Sequence, residues 1–266
     1  MSLFSRAKIV ATVRLEGVIS SSDLCLDAVK KSLDAAFRSK PTIVGLLINS
    51  PGGSPVQSSI LHDYIRSKSF VTDIPVVSFV EDVAASGGYW LALAGDQIFA
   101  NESSIVGSIG VISTGFGLDK LIAKYDIERR IHTSGSHKHL GDQFTATTQE
   151  GLEEIENLQK AIHQDFIDIV KVRRGERLKL DTPHLFEGKI WVGREAEKYG
   201  LLDGLGNLEA LTYSAFGDNY RIRSFDDVGY QQSGGMNMNT MISRVISKLM
   251  NRVEFRMMAQ KFGVSA

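Results

Sequence analysis

The sequence predicts an α/β fold, with a mostly parallel sheet and flanking helices. Short apolar runs of strand length recur at Ile43–Ile48, Pro75–Val80 and Gln97–Ala100. Stretches of helical period alternate with them, and turns rich in small residues follow the first two. A continuous apolar run suits a strand covered on both faces, and strands alternating with helices make β-α crossovers.

In chain order, Lys8 to Ile19 is rich in β-branched residues and reads as a strand. Leu24, Leu26, Val29, Leu33, Ala36 and Phe37 then recur near helical period, so Asp23–Arg38 reads as a helix with Asp23 as its N-cap. After the strand at 43–48, the turn Asn49-Ser-Pro-Gly-Gly-Ser54 leads into a helix to about Lys68. After the strand at 75–80, Glu81–Trp90 leads into a helix ending near Ala94. Gln97–Ala100 and Ile127–Thr133 read as further strands. Thr147-Thr-Gln-Glu150 has capping-box spacing and opens a long amphipathic helix to about Arg173. A short helix over 193–199 ends at Gly200, a suitable C′ residue.

The chain of 266 residues, 43% hydrophobic and 23% charged, is long enough for a core that needs no staples. Its net charge of −1 argues against a strongly basic nucleic-acid binder. The single cysteine, Cys25, excludes an internal disulfide framework and fits a reducing compartment. The uncharged stretch Val83–Gly95 is too short for the ~20 residues of a spanning helix. No signal peptide is visible, so the expected location is cytoplasmic or peripheral to a membrane.

Composition changes near Gln231-Gln-Ser-Gly-Gly235, which divides the expected domain, 1–230, from a linker and tail, 231–266. The tail sets Arg244, Lys248, Arg252, Arg256 and Lys261 against Glu254 alone, with Ile242, Val245, Ile246, Leu249 and Val253 on one helical face. It reads as a basic amphipathic helix for a membrane surface or partner groove, or as an oligomer contact or frayed end.

Three places could carry chemistry. In Ser50-Pro-Gly-Gly53, two glycines directly after a strand leave backbone N–H groups bare, able to hold an oxyanion. The same residues also make an ordinary strand-to-helix turn. In Ala84-Ala-Ser86-Gly-Gly-Tyr-Trp90, Ser86 stands between a strand and a helix among small neighbours. It is either a nucleophile, with the Gly87 N–H as oxyanion donor, or a plain N-cap. In Thr133-Ser-Gly-Ser-His-Lys-His139, Lys138, His137 and His139 (with His132 nearby) are candidate bases. The histidines are otherwise a solvated patch, or a weak metal site with no third ligand at matching spacing.

These segments jointly resemble the S49 family of serine peptidases, the signal peptide peptidase A group. Ser50-Pro-Gly-Gly53 is similar to the family's glycine turn, and Asp82–Trp90 to its nucleophile motif. Gly107-Ser-Ile-Gly-Val111 resembles its Gly-Ser-Ile-Gly segment, and Gly193-Arg-Glu-Ala196 with Gly200-Leu-Leu-Asp203 its closing helix and turn. The resemblance spans roughly 8–215. It implies a ClpP/crotonase-like fold and a Ser–Lys dyad. Ser86 would be the nucleophile and Lys138, in Ser134-Gly-x-x-Lys138, the general base. Ser108 would orient Lys138, and the N–H groups of Gly53 and Gly87 would bind the oxyanion. No cofactor or metal is implied. The expected partners are a peptide substrate, from remnant signal peptides or membrane-protein fragments, and further copies of the chain in a homo-oligomer with sites near its interfaces. Membrane anchors common among relatives are not visible here. A crotonase-like acyl-CoA enzyme and a non-catalytic peptide-binding scaffold are the alternatives on this fold.

Overall fold

The computed structural model describes residues 7–135, 137–138 and 141–226. The expected linker and tail, 231–266, and His139 lie outside the described residues. The chain divides into two compact units, residues 110–166 forming one and the flanking residues the other.

The larger unit holds an eight-stranded sheet. Strand β1 (Lys8–Glu16) leads to helix α1 (Leu26–Arg38), β2 (Ile43–Ser50) and α2 (Pro55–Thr72). Then come β3 (Val76–Ala85), the short helix α3 (Gly87–Ala92), β4 (Gln97–Ala100) and β5 (Ile105–Gly107). After the smaller unit the chain returns as β6 (Ile190–Val192). Helix α6 (Gly193–Lys198), β7 (Gly204–Leu205), α7 (Leu208–Phe216) and β8 (Tyr220–Ser224) follow. The smaller unit contains α4 (Asp119–Lys124) and the start of α5 (Gln149–Arg174).

The sheet order is β6-β5-β3-β2-β1-β8, all parallel except the antiparallel β5–β6 pair. β3 changes neighbour along its length. Val77–Val80 pair with Gln97–Ala100 of β4, and Val83–Ala85 with Ile105–Gly107 of β5. The register with β2 shifts at the same place, from Ile48↔Val80 to Ser50↔Ala84, a bulge that bends the strand. Beyond β3 the sheet therefore forks into a β4–β7 branch and a β5–β6 branch. The Ser104 hydroxyl stands at the fork and donates to the Glu81 carbonyl.

Both sheet faces are covered, as the continuous apolar strands require. Leu33, Ala36 and Phe37 of α1 and Leu61 and Ile65 of α2 are buried. Leu208 of α7 packs with Val10 and Phe79, joined by Leu47, Phe99 and Leu211. Fully burying side chains of this size stabilises by about 1.5–3 kcal/mol each.

Ionic ties hold the helix ends below the sheet. Arg174 is 1% exposed. Its Nε donates to the Gly200 carbonyl at 2.7 Å and its Nη1 to Asp203 Oδ2 at 2.7 Å. Asp203 also accepts from Arg177 and from the Ile98 N–H. Burial pushes the Asp203 carboxyl up, but the Arg174 and Arg177 hydrogen bonds with the Ile98 amide hold it below the usual carboxylate range.

Several boundaries differ from expectation. Helix α1 starts three residues after Asp23, and its N-cap is Cys25. Ser20 to Leu24 is instead folded back, with Ser20 N–H donating to the Leu24 carbonyl and Leu24 N–H to the Val18 carbonyl. β3 runs on to Ala85, five residues past the apolar run. Ile127–Thr133 is not a strand: Ile127 is exposed, and Arg129 and Arg130 pair with Asp142 and Glu128. With no neighbouring strand to complete a ladder, β-branched residues there do not suffice. The cap of α5 is one residue late, with Thr148 Oγ1 accepting from Gly151 N–H. Gly200 holds as expected, at φ 79°. The Leu201 N–H donates to the Ala196 carbonyl and the Gly200 N–H to the Glu197 carbonyl, a full Schellman closure.

Candidate active site

The C-terminal ends of β2, β3 and β5 lie side by side, and three predicted motifs lie there. Ser86 follows β3 and Ser108 follows β5. The residues just before them, Ala85 and Gly107, are paired in the sheet. Ser86 N–H donates to the Gly107 carbonyl at 2.8 Å, and Ser108 N–H to the Lys189 carbonyl at 2.8 Å.

Ser86 has φ 53° and ψ −125°, a conformation that disfavours a residue with a Cβ. It occupies the N-cap position of α3, yet its side chain makes no capping hydrogen bond. The capping alternative thus loses its physical basis. Ser108 also has a positive φ, 54°.

The two glycine turns touch. A Cβ on Gly52 would stand 2.8 Å from Gly87 N, from the Ala85 carbonyl oxygen and from Ser86 Cβ. A Cβ on Gly87 would meet Ser58 Oγ and stand 3.4 Å from Gly53 N. These positions exclude side chains so that the backbones can approach.

The direction of the Gly53 N–H follows from its peptide plane. Gly53 bridges in parallel to Ile19. Ile19 N–H donates to the Gly52 carbonyl at 2.8 Å, and Ser54 N–H donates to the Ile19 carbonyl at 2.8 Å. In a trans peptide the N–H points opposite to the C=O. Ile19 therefore holds the Gly52 carbonyl on one side and leaves the Gly53 N–H on the other. Gly87 begins α3, where N–H groups lack intrahelical partners. Among the described residues neither N–H has an acceptor.

The packing behind Ser86 is rigid. Tyr89 is fully buried, and its hydroxyl donates to the Leu201 carbonyl at 2.8 Å. Burial pushes its ionisation far above the ordinary tyrosine range. Arg173 donates to the Leu93 and Gly95 carbonyls just past α3, and Arg66 to the Ala94 carbonyl. Asp96 joins the two arginines at 3.4 and 2.7 Å.

Of the predicted site residues, Ser86, Ser108, Gly53 and Gly87 belong to the larger unit. Lys138 belongs to the smaller one, on an exposed turn where its N–H donates to the Gly135 carbonyl at 3.3 Å. Its neighbour His137 approaches Glu150 at 3.6 Å. No group of three or more metal-ligating side chains occurs among the described residues. Sequence reasoning missed Ile19 and the Ser50 hydroxyl, whose partners Gly52 and Gly17 are distant in the chain, and Ser58, whose hydroxyl donates to the Ser54 carbonyl and stands beside Gly87.

The model of peptidase family S49 matches residues 68–216. The chain belongs to peptidase family S49. This is a family of serine peptidases, and the matched residues include Ser86 and Ser108. The chain is 43% identical over 221 residues to a Brucella abortus protein named Na(+)/H(+) antiporter NhaA, covering 80% of this chain and 30% of that protein. It is 32% identical over 163 residues to the chloroplastic serine protease SPPA of Arabidopsis thaliana, covering 60% of this chain and 24% of that protein. The chain thus spans less than a third of either curated relative. No described helix is long and apolar enough to cross a membrane. Among solved structures, the 1510-N membrane-bound stomatin-specific protease, in complex with a substrate peptide, is similar with a TM-score of 0.57. At 15% identity the likeness covers 92% of this chain and 100% of that one. It is a likeness of fold, and the ClpP/crotonase-like α/β architecture expected for the family is the one observed.

Proposed function

We propose that this S49 member is a serine endopeptidase with a Ser86–Lys138 dyad. The observation that carries the reading is the pair of N–H groups, at Gly53 and Gly87, that have no acceptor among the described residues, beside a serine held on strained backbone. The uncharged amine of Lys138 takes the proton of Ser86 Oγ as that oxygen bonds to the scissile carbonyl carbon. The carbonyl oxygen gains the negative charge between the two N–H groups. Lys138 then returns the proton to the leaving amine, and water attacks the acyl-enzyme in the same way. Ser108 orients the amine. The scheme needs no cofactor.

Peptides of remnant signal sequences or membrane-protein fragments are the proposed substrates, supported by the stomatin-specific protease of similar fold. A homo-oligomer with sites near its interfaces is the proposed assembly, supported by the exposed Ile112 and Phe116, 84% and 81% accessible. An acyl-CoA enzyme would use the same N–H pair but has no use for a strained serine between them.

The test compares turnover of an unstructured peptide library by wild type, Ser86→Ala, Lys138→Ala and Lys189→Ala. The last removes a lysine of the larger unit, whose carbonyl accepts from the Ser108 N–H. Loss of at least ~100-fold is expected in the first two variants and little change in the third. Equal turnover by wild type and Ser86→Ala rejects the nucleophile, and loss in Lys189→Ala with retention in Lys138→Ala reassigns the base.

A further inference from the structure

We propose that Ser50 is a positioning residue that aims the Gly53 N–H at the reacting carbonyl, an inference that rests on the peptidase reading above. Ser50 is fully buried at the end of β2. Its hydroxyl donates to the Gly17 carbonyl at 2.7 Å and accepts from the Gly52 N–H at 3.2 Å. Its backbone carbonyl lies where a Cβ on Gly88 would stand, so it abuts the nucleophile turn as well.

The turn needs such a tie. Gly52 and Gly53 have φ of 103° and 143° and no side chains to limit rotation. The orientation of their peptide planes is therefore set by hydrogen bonds. Two adjoining planes are tied: the Pro51–Gly52 plane by the Gly52 N–H, which goes to Ser50 Oγ, and the Gly52–Gly53 plane by the Gly52 C=O, which receives Ile19 N–H. The C=O shares its plane with the Gly53 N–H. The same hydroxyl reaches Gly17, two residues before Ile19, and so ties the bracing segment to the turn it braces. Gly17 N–H in turn donates to the Asn49 carbonyl at 3.0 Å. Without the hydroxyl, the Pro51–Gly52 plane loses its tie and the Gly17–Ile19 segment loses its link to the turn, so the Gly52–Gly53 plane, joined through an unhindered glycine Cα, turns more freely and the Gly53 N–H turns with it.

A donor that is present but misdirected weakens the transition state more than the bound substrate. Misplacement by about 1 Å can cost ~100-fold in rate. Ser50→Ala is thus expected to lower kcat by roughly 10- to 100-fold, with KM within about twofold. Affinity for a peptide aldehyde, whose Ser86 adduct puts an oxygen between the two donors, should fall in parallel, and affinity for a product peptide should hold. Ser50→Cys, which preserves the packing with a weaker hydrogen-bonding group, should fall between.

The experiment titrates active sites with a fluorophosphonate in wild type, Ser86→Ala, Ser50→Ala and Ser50→Cys, then measures kcat per labelled site, KM and both affinities. If Ser50→Ala does not fold, Ser50→Cys carries the test with the same readouts. Wild-type kcat per labelled site in the folded Ser50 variants overturns the positioning role, even where melting temperature or labelled fraction drops. A rise in KM with kcat unchanged overturns it too. If wild type neither labels at Ser86 nor cleaves peptide, the peptidase reading itself fails. That result is distinct from active wild type with unaffected Ser50 variants.

Discussion

At Ser86 the backbone angles, φ 53° and ψ −125°, belong to glycine more than to serine. Holding a residue with a Cβ in such a region costs about 1–3 kcal/mol. Ser86→Ala and Ser86→Gly both remove the hydroxyl, and no capping bond is lost in either. Only the glycine variant also removes the Cβ. Against the strain released stands the extra backbone freedom of glycine in the unfolded chain, about 0.5–1 kcal/mol. The net advantage of glycine over alanine is therefore roughly 1 kcal/mol, or about 2–4 °C in Tm for a chain of this size. Scanning calorimetry of the two variants in one buffer reads the difference directly, since neither turns over substrate. A glycine variant melting at or below the alanine variant would refute the claim that strain is stored at Ser86.

Other outcomes follow from the packing around the site. Asp203→Ala leaves the buried Arg174 guanidinium without its carboxylate and should destabilise by about 3–5 kcal/mol, read as a fall in denaturation midpoint; a loss under ~1 kcal/mol would show the pair to be dispensable. Gly200→Ala puts a methyl against the Arg177 carbonyl at a position with φ 79°, and should cost more than the ~1 kcal/mol of the left-handed conformation alone; an unchanged melting curve would contradict this. His62 is 4% exposed, and burial, partly offset by Asp63, holds its imidazole below the usual histidine range. The unfolded chain then binds its proton first, so stability falls as pH drops below ~6.5 towards the lower folded value. His62→Gln should flatten that part of the stability–pH curve, and parallel curves for variant and wild type would remove His62 as its source.

Legibility followed the length of the local signal. The apolar runs of β1 and β2, and the period of α1 and α5, were visible because many residues repeat one choice. β5, β6 and β7 have two or three residues each, too few to show a pattern. Helix α7 escaped notice although Asn207 caps it, accepting from Ala210 N–H, and Gly217 follows its end. The strand expected at 127–133 was read without regard to a partner. At the site, Ser86 and the glycines stood out because turns of small residues are punctuation. Ile19 and Ser50 did not. The bonds Ser50 Oγ–Gly17 and Ile19–Gly52 join residues 33 positions apart, and nothing in either segment advertises the other.

The fork in the sheet has a mechanical consequence. β3 is clamped by two brackets on one side, four residues of β4 near its root and three of β5 near its tip. Unzipping the outer bracket leaves the tip with its Ser50↔Ala84 pairing to β2, while the root remains gripped between β2 and β4. Motion at the cleft is thereby decoupled from melting of the interior, and amide exchange at Val83–Ala85 should outpace that at Val77–Val80.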